Sequence, residues 1–379
     1  MPIPFAKPDI TEAEITAISN CLRSGWLTTG GVTAEFERRF AETVGAKYAL
    51  AVTSATMGAL LVLDALGIGA GDEVIVPAYT FSGPAMMARR LGARVVFADS
   101  RASSPEMSWE DALAKVTSRT KAIMPTDFAG NPWEAGIESL ETHFRDIPII
   151  HDAAHAFPAA YSDGSKVGSK GLATFFSFYA TKTLTTGDGG MVTTNDDDLA
   201  ARIRKLRQHG FNKQLFDRYT NIQAGWAYAI EDNGWKANLT DLASSVGLVQ
   251  LERAQEMLEK RRAIASLYDS IFTRTNLPVR PLGHDEGSAF HLYPIYVENR
   301  DDFITRMAGH GIQCSVHFIP LPLHPAWQDA GAPRCLNAEN HFMRTVSLPI
   351  YPTMAVVDVA KVLDAAITSL KEQLECSQA

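Results

Sequence analysis

Lys182 closes the run F-S-F-Y-A-T-K, which begins at Phe176 and carries the hydroxyl of Ser177 five residues before the amine. A lysine condenses with an aldehyde only as the neutral base, and apolar or cationic surroundings are how a protein lowers its proton affinity. Here the lysine follows Leu172, Phe175, Phe176, Phe178 and Tyr179 and precedes the turn Gly187-Asp188-Gly189-Gly190. Glycine in such a turn lets backbone approach a ligand closely. The pattern suits an aldehyde trap, although a lysine after a strand is commonly solvated and a glycine cluster is commonly a plain turn. The chemistry therefore needs further parts.

One is Asp152. Ile147-Pro148-Ile149-Ile150 reads as a short buried strand that runs into His151-Asp152-Ala153-Ala154-His155. In an open parallel sheet, ligands bind beyond the carboxyl ends of strands, so a carboxylate there faces a site. It can also be a turn residue. Another part is an anion cradle: Tyr48–Val52 reads as a strand, and Ser54-Ala55-Thr56 then opens a helix through Leu60, Leu61 and Leu63. Backbone N–H groups and the helix dipole favour a phosphate at that point, and ordinary N-capping by Ser54 or Thr56 explains the same residues. Lysine, carboxylate and cradle together are what pyridoxal 5′-phosphate needs. A carboxylate at the pyridine nitrogen keeps it protonated, so that the ring accepts electrons. His155 can stack on the ring, hydrogen-bond it, or be structural.

The elements that must position these groups alternate. Strand-like runs at Tyr48–Val52, Glu73–Pro77, Arg94–Ala98, Lys121–Pro125, Pro148–His151, Thr174–Phe178 and Gly190–Thr194 are interleaved with helical runs such as Phe81–Leu91, Trp109–Val116 and Leu199–His209. That is the rhythm of an α/β domain with a mostly parallel sheet. From Thr240 to Phe272 the pattern is continuously helical, without proline. Further strands are expected at His291–Val297 and Val316–Ile319, flanking a helix at Asp301–Gly309. The division expected is an N-terminal segment and large domain over residues 1–264 and a small C-terminal domain over 265–379.

The chain also carries Gly25-Trp26-Leu27-Thr28-Thr29-Gly30, G-D-E-V-I-V-P-A-Y-T-F from Gly71 to Phe81, D-A-A-H-A from Asp152, S-F-Y-A-T-K, and S-L-P-I-Y-P from Ser347. On these motifs it resembles the DegT/DnrJ/StrS sugar aminotransferases, from about Pro4 to past Pro352. The resemblance implies a pyridoxal-phosphate enzyme of the aspartate aminotransferase fold (fold type I), in which a large domain with a mixed, mostly parallel sheet flanked by helices is joined to a smaller C-terminal α/β domain. By the same resemblance Lys182 would hold the cofactor as a Schiff base and Asp152 would pair with the ring nitrogen. Ala55, Thr56 and Ser177 would hold the phosphate, while Phe81 and Ala154 would sandwich the ring. A homodimer with shared active sites is implied too. Gly234-Trp235-Lys236-Ala237-Asn238-Leu239-Thr240-Asp241 matches the segment that family members lend to the neighbouring subunit, so Asn238 and Lys236 would reach the partner's phosphate. The implied reaction moves an amino group from an amino acid, L-glutamate by resemblance, to a keto sugar, above all a nucleotide-linked 4-keto-6-deoxyhexose.

Some positions depart from the family pattern. Asp188 stands where glutamate is usual. Thr126-Asp127-Phe128-Ala129-Gly130-Asn131-Pro132-Trp133 replaces a segment that usually reads V-H-L-A-G-x-P-A, which puts the usual substrate contacts at Asp127 and Trp133 in question. The stretch Phe211–Asn233, with Tyr219, Trp226 and Tyr228, also matches poorly; loops of this kind carry specificity. Trp26 and Thr28 either line the substrate pocket or fold over the core. His291 and His317 match positions near the site entrance, and a satisfied histidine in a small-domain sheet fits them equally. Rival readings are a keto-cyclitol aminotransferase, which would keep every cofactor residue, and a non-catalytic regulator, which an intact cofactor site opposes. A dehydratase of the same family would carry histidine in place of Lys182.

Composition sets outer bounds. With 379 residues the chain exceeds a usual single core. A net charge of −8 argues against a nucleic-acid surface. The four cysteines, Cys21, Cys314, Cys335 and Cys376, have neither C-x-x-C nor histidine spacing, so no metal site or disulfide framework is expected. With no signal-peptide pattern and no membrane-length apolar run, the expected location is the cytoplasm, without a membrane partner.

Overall fold

The structure is a computed structural model that describes residues 2–134, 142, 147–212, 228–328 and 331–378. Two helices open the chain, α1 (Glu12–Ser24) and α2 (Gly31–Val44). The first begins with a capping box, in which the Thr11 hydroxyl and the Glu14 carboxylate satisfy each other's backbone N–H groups. There follow β1 (Tyr48–Val52), α3 (Ala55–Ala65), β2 (Glu73–Pro77), α4 (Gly83–Arg90), β3 (Arg94–Ala98), α5 (Trp109–Ala114), β4 (Thr120–Ile123), β5 (Ile150–Asp152), β6 (Ala173–Ser177) and β7 (Gly190–Thr194). The strand-like runs thus fold as strands, with ends moved by at most two residues.

One hydrogen-bonded group has the order β3-β2-β4 and a second the order β1-β7-β6-β5. Parallel bridges Ile123↔Ile149 and Thr126↔Asp152 join β4 to β5, so the layer continues as β3-β2-β4-β5-β6-β7-β1. Only β7 runs against its neighbours. Consequently β1, β2, β4, β5 and β6 all present their carboxyl ends at one edge. Their side chains are buried almost throughout, as both-faced burial of a parallel sheet requires. Helix α3 is apolar nearly all round and buried from Gly58 to Leu63. Gly190 explains how closely it approaches: a Cβ there would meet Ala55 N at 2.6 Å and the Phe176 carbonyl oxygen at 2.7 Å.

After α6 (Asp197–Leu206) come α7 (Asp241–Glu252) and α8 (Ala254–Phe272). The single helix expected over Thr240–Phe272 is interrupted at Arg253, where φ is −95° and ψ is 0°. Its guanidinium bonds Asp9 and Glu14, both at 2.8 Å, and so ties the junction to the N-terminal segment. The remaining elements are β8 (Val279–Pro281), β9 (Tyr293–Val297), α9 (Arg300–Gly309), the short α10 (Pro325–Gln328), α11 (Leu336–Arg344), β10 (Thr345–Leu348) and α12 (Val356–Gln378). Strands β10-β9-β8 form an antiparallel sheet. Residues 316–319 do not form the expected strand; they are irregular chain anchored by a single bridge, Ser315↔Ser347.

Two apolar cores lie on the faces of the large sheet, and a third gathers Leu258, Ile264, Tyr268 and Phe272 of α8 with β9, α9, β10 and α12. Helix α8 carries both kinds of packing, since Ala254 belongs to a large-sheet core. No helix among the described residues is long and apolar enough to cross a membrane.

Candidate active site

At the carboxyl edge of the large sheet lies a cavity of about 460 Å³. Its floor is built by strand ends. Asp152 terminates β5, Ser177 terminates β6, and Ala55 and Thr56 begin α3 directly after β1. Lys182 follows β6 by five residues and shares the cavity with all of them. Ala154, His155 and Phe81 complete the set expected from the sequence. Asn238 and Lys236 are not in it. The Asn238 side chain donates to Thr29 Oγ1 and accepts from the Lys236 ammonium, and its backbone bridges to Val52. Within one chain these two residues lie on a shelf outside the cavity.

Electrostatics fit the expected roles. Burial holds the Lys182 amine below the usual lysine range, against the opposing attraction of Asp152. Burial likewise pushes Asp152 above the usual carboxylate range, and the nearby charge of Asp127 adds to the rise. The Ala154 N–H, donating to Asp152 Oδ1 at 3.1 Å, the Thr126 hydroxyl and Lys182 all pull the other way. On α3, the Ser54 hydroxyl takes the Met57 N–H and its carbonyl takes that of Gly58. The N–H groups of Ala55 and Thr56 remain, as the first donors of an α-helix have no partner within it. Such a start binds an anion.

The roof of the cavity comes from the C-terminal part. His291, His317 and Phe318 line it, so both histidines held open in the sequence lie at the site. His155 packs 4.5 Å from His291 and stacks at 5.8 Å on Phe318. His317 Nδ1 lies 3.1 Å from Ser347 Oγ. Burial keeps all three imidazoles neutral, with His317 lowered to about 3. Gly130, at φ 106°, lets the 128–130 turn touch this roof, because a Cβ there would meet Phe290 N at 3.0 Å. The His291 N–H then donates to the Ala129 carbonyl at 3.1 Å, and Arg261 Nη1 bonds the His291 carbonyl from α8.

Other expectations fall differently. Asp127 and Trp133 do not line this cavity: Asp127 is wholly buried, its Oδ1 accepts the Trp133 N–H at 2.8 Å, and the indole donates to the Met107 carbonyl. They are core residues behind the site. Asp188 does line the cavity, whereas Trp26 and Thr28 do not. Tyr219 and Trp226 lie outside the described residues. Thr126, Thr80 and Tyr179 also line the cavity, beyond the residues expected there. A signal for Thr126 existed, since it stands just past the β4 run, where its neighbour strand presents Asp152.

A half-buried lysine, a buried carboxylate and a helix start around one apolar cavity define an enzyme that works through a phosphorylated aldehyde cofactor. The sequence matches the model of the DegT/DnrJ/EryC1/StrS aminotransferase family over residues 8–366, and the chain belongs to that family. A Bacillus subtilis relative, spore coat polysaccharide biosynthesis protein SpsC, is 40% identical, the match covering 96% of each chain. The PMP-form of the Streptococcus pneumoniae putative sugar aminotransferase Spr1654 superposes with a TM-score of 0.92 at 32% identity, over 100% of both chains. Helicobacter pylori PseC, an aminotransferase involved in pseudoaminic acid biosynthesis, gives a TM-score of 0.90 at 26% identity, over 98% of this chain and 100% of its own. The chain is thus an aminotransferase with pyridoxal 5′-phosphate as its cofactor. The cavity fits that group: the N–H groups at the start of α3 suit the phosphate, and Phe81, 57% exposed at the rim, offers a ring face. His155 Nδ1, buried without a hydrogen-bond partner among the described residues, offers a polar contact.

Proposed function

We propose that this aminotransferase carries nitrogen from L-glutamate to a nucleotide-linked 4-keto-6-deoxyhexose, in a homodimer whose two chains complete each other's sites. The observation that carries the reaction is the meeting of Lys182, Asp152, Ser177 and the α3 start in one cavity. Bound there, pyridoxal phosphate supplies an electrophilic carbon and an electron sink for the donor's α-carbon. Lys182, its amine held below the usual range by burial, attaches and releases the cofactor and moves a proton on one face. Asp152 would pair with the ring nitrogen and keep its proton there. Ala55, Thr56 and Ser177 would hold the phosphate, and Phe81 and Ala154 would contact the ring. The histidines and Phe318 of the roof keep water out.

The sugar reading draws support from relatives concerned with spore coat polysaccharide and with pseudoaminic acid. Support for the dimer comes from the shelf of Asn238 and Lys236, which lies outside its own cavity, and from α1, which exposes Ile15, Ile18 and Leu22 along one helical face. The cytoplasm is the compartment we infer for such a pathway enzyme.

The test is spectral. Glutamate should convert the bound cofactor to its amino form, and reoxidation is then screened with nucleotide-linked keto sugars, free keto sugars and keto-inositols. Reoxidation by nucleotide-linked 4-keto sugars is expected. A response to keto-inositols alone would overturn the sugar reading in favour of a cyclitol substrate.

A further inference from the structure

Behind Asp152, on the side of β5 away from the cavity, two ionisable side chains are sealed in the core. Asp127 and His151 are each 0% exposed, and His151 Nδ1 lies 3.6 Å from Asp127 Oδ1. Their surroundings provide few other partners. Asp127 Oδ1 accepts the Trp133 N–H at 2.8 Å, whereas Asp127 Oδ2 and both imidazole nitrogens have no hydrogen-bond partner among the described residues. Each is therefore the other's nearest ionisable neighbour in a region that offers few other polar partners.

The pair is wired to Asp152 by backbone. The Asp127 N–H donates to the Asp152 carbonyl at 3.0 Å, the Asp152 N–H donates to the Pro125 carbonyl at 2.8 Å, and His151 is the residue before Asp152 on β5. The backbone that carries the pair is thus the backbone that carries Asp152.

We propose that the Asp127–His151 ion pair is a positioning device for Asp152 that sets how tightly the cofactor's ring nitrogen holds its proton. A negative Asp127 favours a proton on the Asp152–pyridine unit, and a positive His151 moderates that effect. The other charged groups in reach are Lys182, which faces Asp152 across the cavity, and Glu106, which lies near enough to feel Asp127. His155 and His317 face the same cavity as neutral rings.

The inference rests on the cofactor reading, and one experiment separates the two. Holoenzyme is prepared with cofactor ¹⁵N-labelled at the ring nitrogen, and the ¹⁵N chemical shift is followed against pH. A wild-type protein that fails to bind the cofactor would sink the cofactor reading itself. With binding established, Asp127→Asn should make the ring nitrogen lose its proton at a pH lower by about one unit, the size typical of removing a nearby buried charge. His151→Gln should shift the same midpoint upward, and the double variant should return toward wild type. Opposite signs are the signature that a merely structural role cannot produce. The amide oxygen introduced by Asp127→Asn can still accept the Trp133 N–H, and thermal unfolding reports whether each variant folds. Should Asp127→Asn fail to fold, the upward shift in His151→Gln carries the test. Shifts of the same sign, or none in folded variants, would overturn the proposal.

Discussion

Floor and roof of the cavity are made from different kinds of chain. On the floor, Asp152 and Ser177 end strands that are hydrogen-bonded to neighbours, and Ala55 starts a helix that is buried from Gly58 to Leu63. On the roof, His291, His317 and Phe318 come from irregular segments, held by isolated contacts such as Ser315↔Ser347 and the Arg261 bond to the His291 carbonyl. Backbone ladders fix floor positions before any side chain is chosen, whereas roof positions depend on the side chains that hold them. The difference matches the proposal that the floor carries the reaction chemistry and the roof encloses it.

The sharpest way to break that assignment is Lys182→Ala. Both covalent attachment and proton transfer are lost, so the amino-transfer half-reaction should slow by at least ~10⁴-fold. Single-turnover spectroscopy with glutamate measures it, and borohydride reduction should fix cofactor to a Lys182 peptide in wild type only. Labelling of another lysine would move the chemistry off this floor.

Asp152→Ala should come next. Loss of a preorganised charge at the ring nitrogen is expected to raise the barrier by about 3 kcal/mol, on the order of a hundredfold or more in rate. Folding should survive, since replacing Asp152 relieves a carboxylate that burial already disfavours. A near-normal half-reaction rate would show that some other group holds the ring proton.

The sequence displayed the floor more fully than the roof, for a physical reason. β1, β2 and β7 fold over the same residues as their apolar runs, because both-faced burial imposes a composition that can be read locally. The end of β1 then marks the α3 start, and the ends of the runs at β5 and β6 mark Asp152 and Ser177 to within one residue. His291 and His317 lack such a frame: a histidine in an irregular segment looks the same whether it lines a cavity or fills a core. Asp127 misleads in the opposite direction. A carboxylate in a variable segment suggests a substrate contact, yet its side chain turns into the core toward His151 and Trp133, which a single sequence does not reveal.

A smaller effect is expected at the shelf, which tests whether one chain's floor and roof suffice. Changing both Asn238 and Lys236 to Ala should weaken cofactor binding about tenfold, the loss of one or two hydrogen bonds to a charged group. Equilibrium titration of apoenzyme reads it. Mixing this variant with Lys182→Ala should restore activity, because some heterodimers then hold one site with both defects and one with neither. No recovery, with subunit exchange verified, would favour self-contained sites.

The smallest effect concerns the roof and its pH dependence. His317 has an ordinary value of 6.5 and is lowered to about 3 by burial first and by Lys182 second. Below pH 6.5 the unfolded chain therefore binds a proton that the folded chain refuses, so stability is fully present above that pH and falls as pH drops. At about pH 5.5 the loss from this one group is about 1.4 kcal/mol relative to neutral pH and above. Asp152 works in the other direction: its value is raised on folding, so protonation in acid favours the folded state and partly offsets the histidines. Urea unfolding of apoenzyme at about pH 7.5 and about pH 5.5 should show wild type weakened in acid. His317→Gln should show a drop smaller by about that amount, while leaving the absorption of bound cofactor unchanged at neutral pH, since the floor alone holds it. An altered cofactor spectrum in that variant would mean that the roof takes part in the chemistry and that the division drawn between the two is wrong.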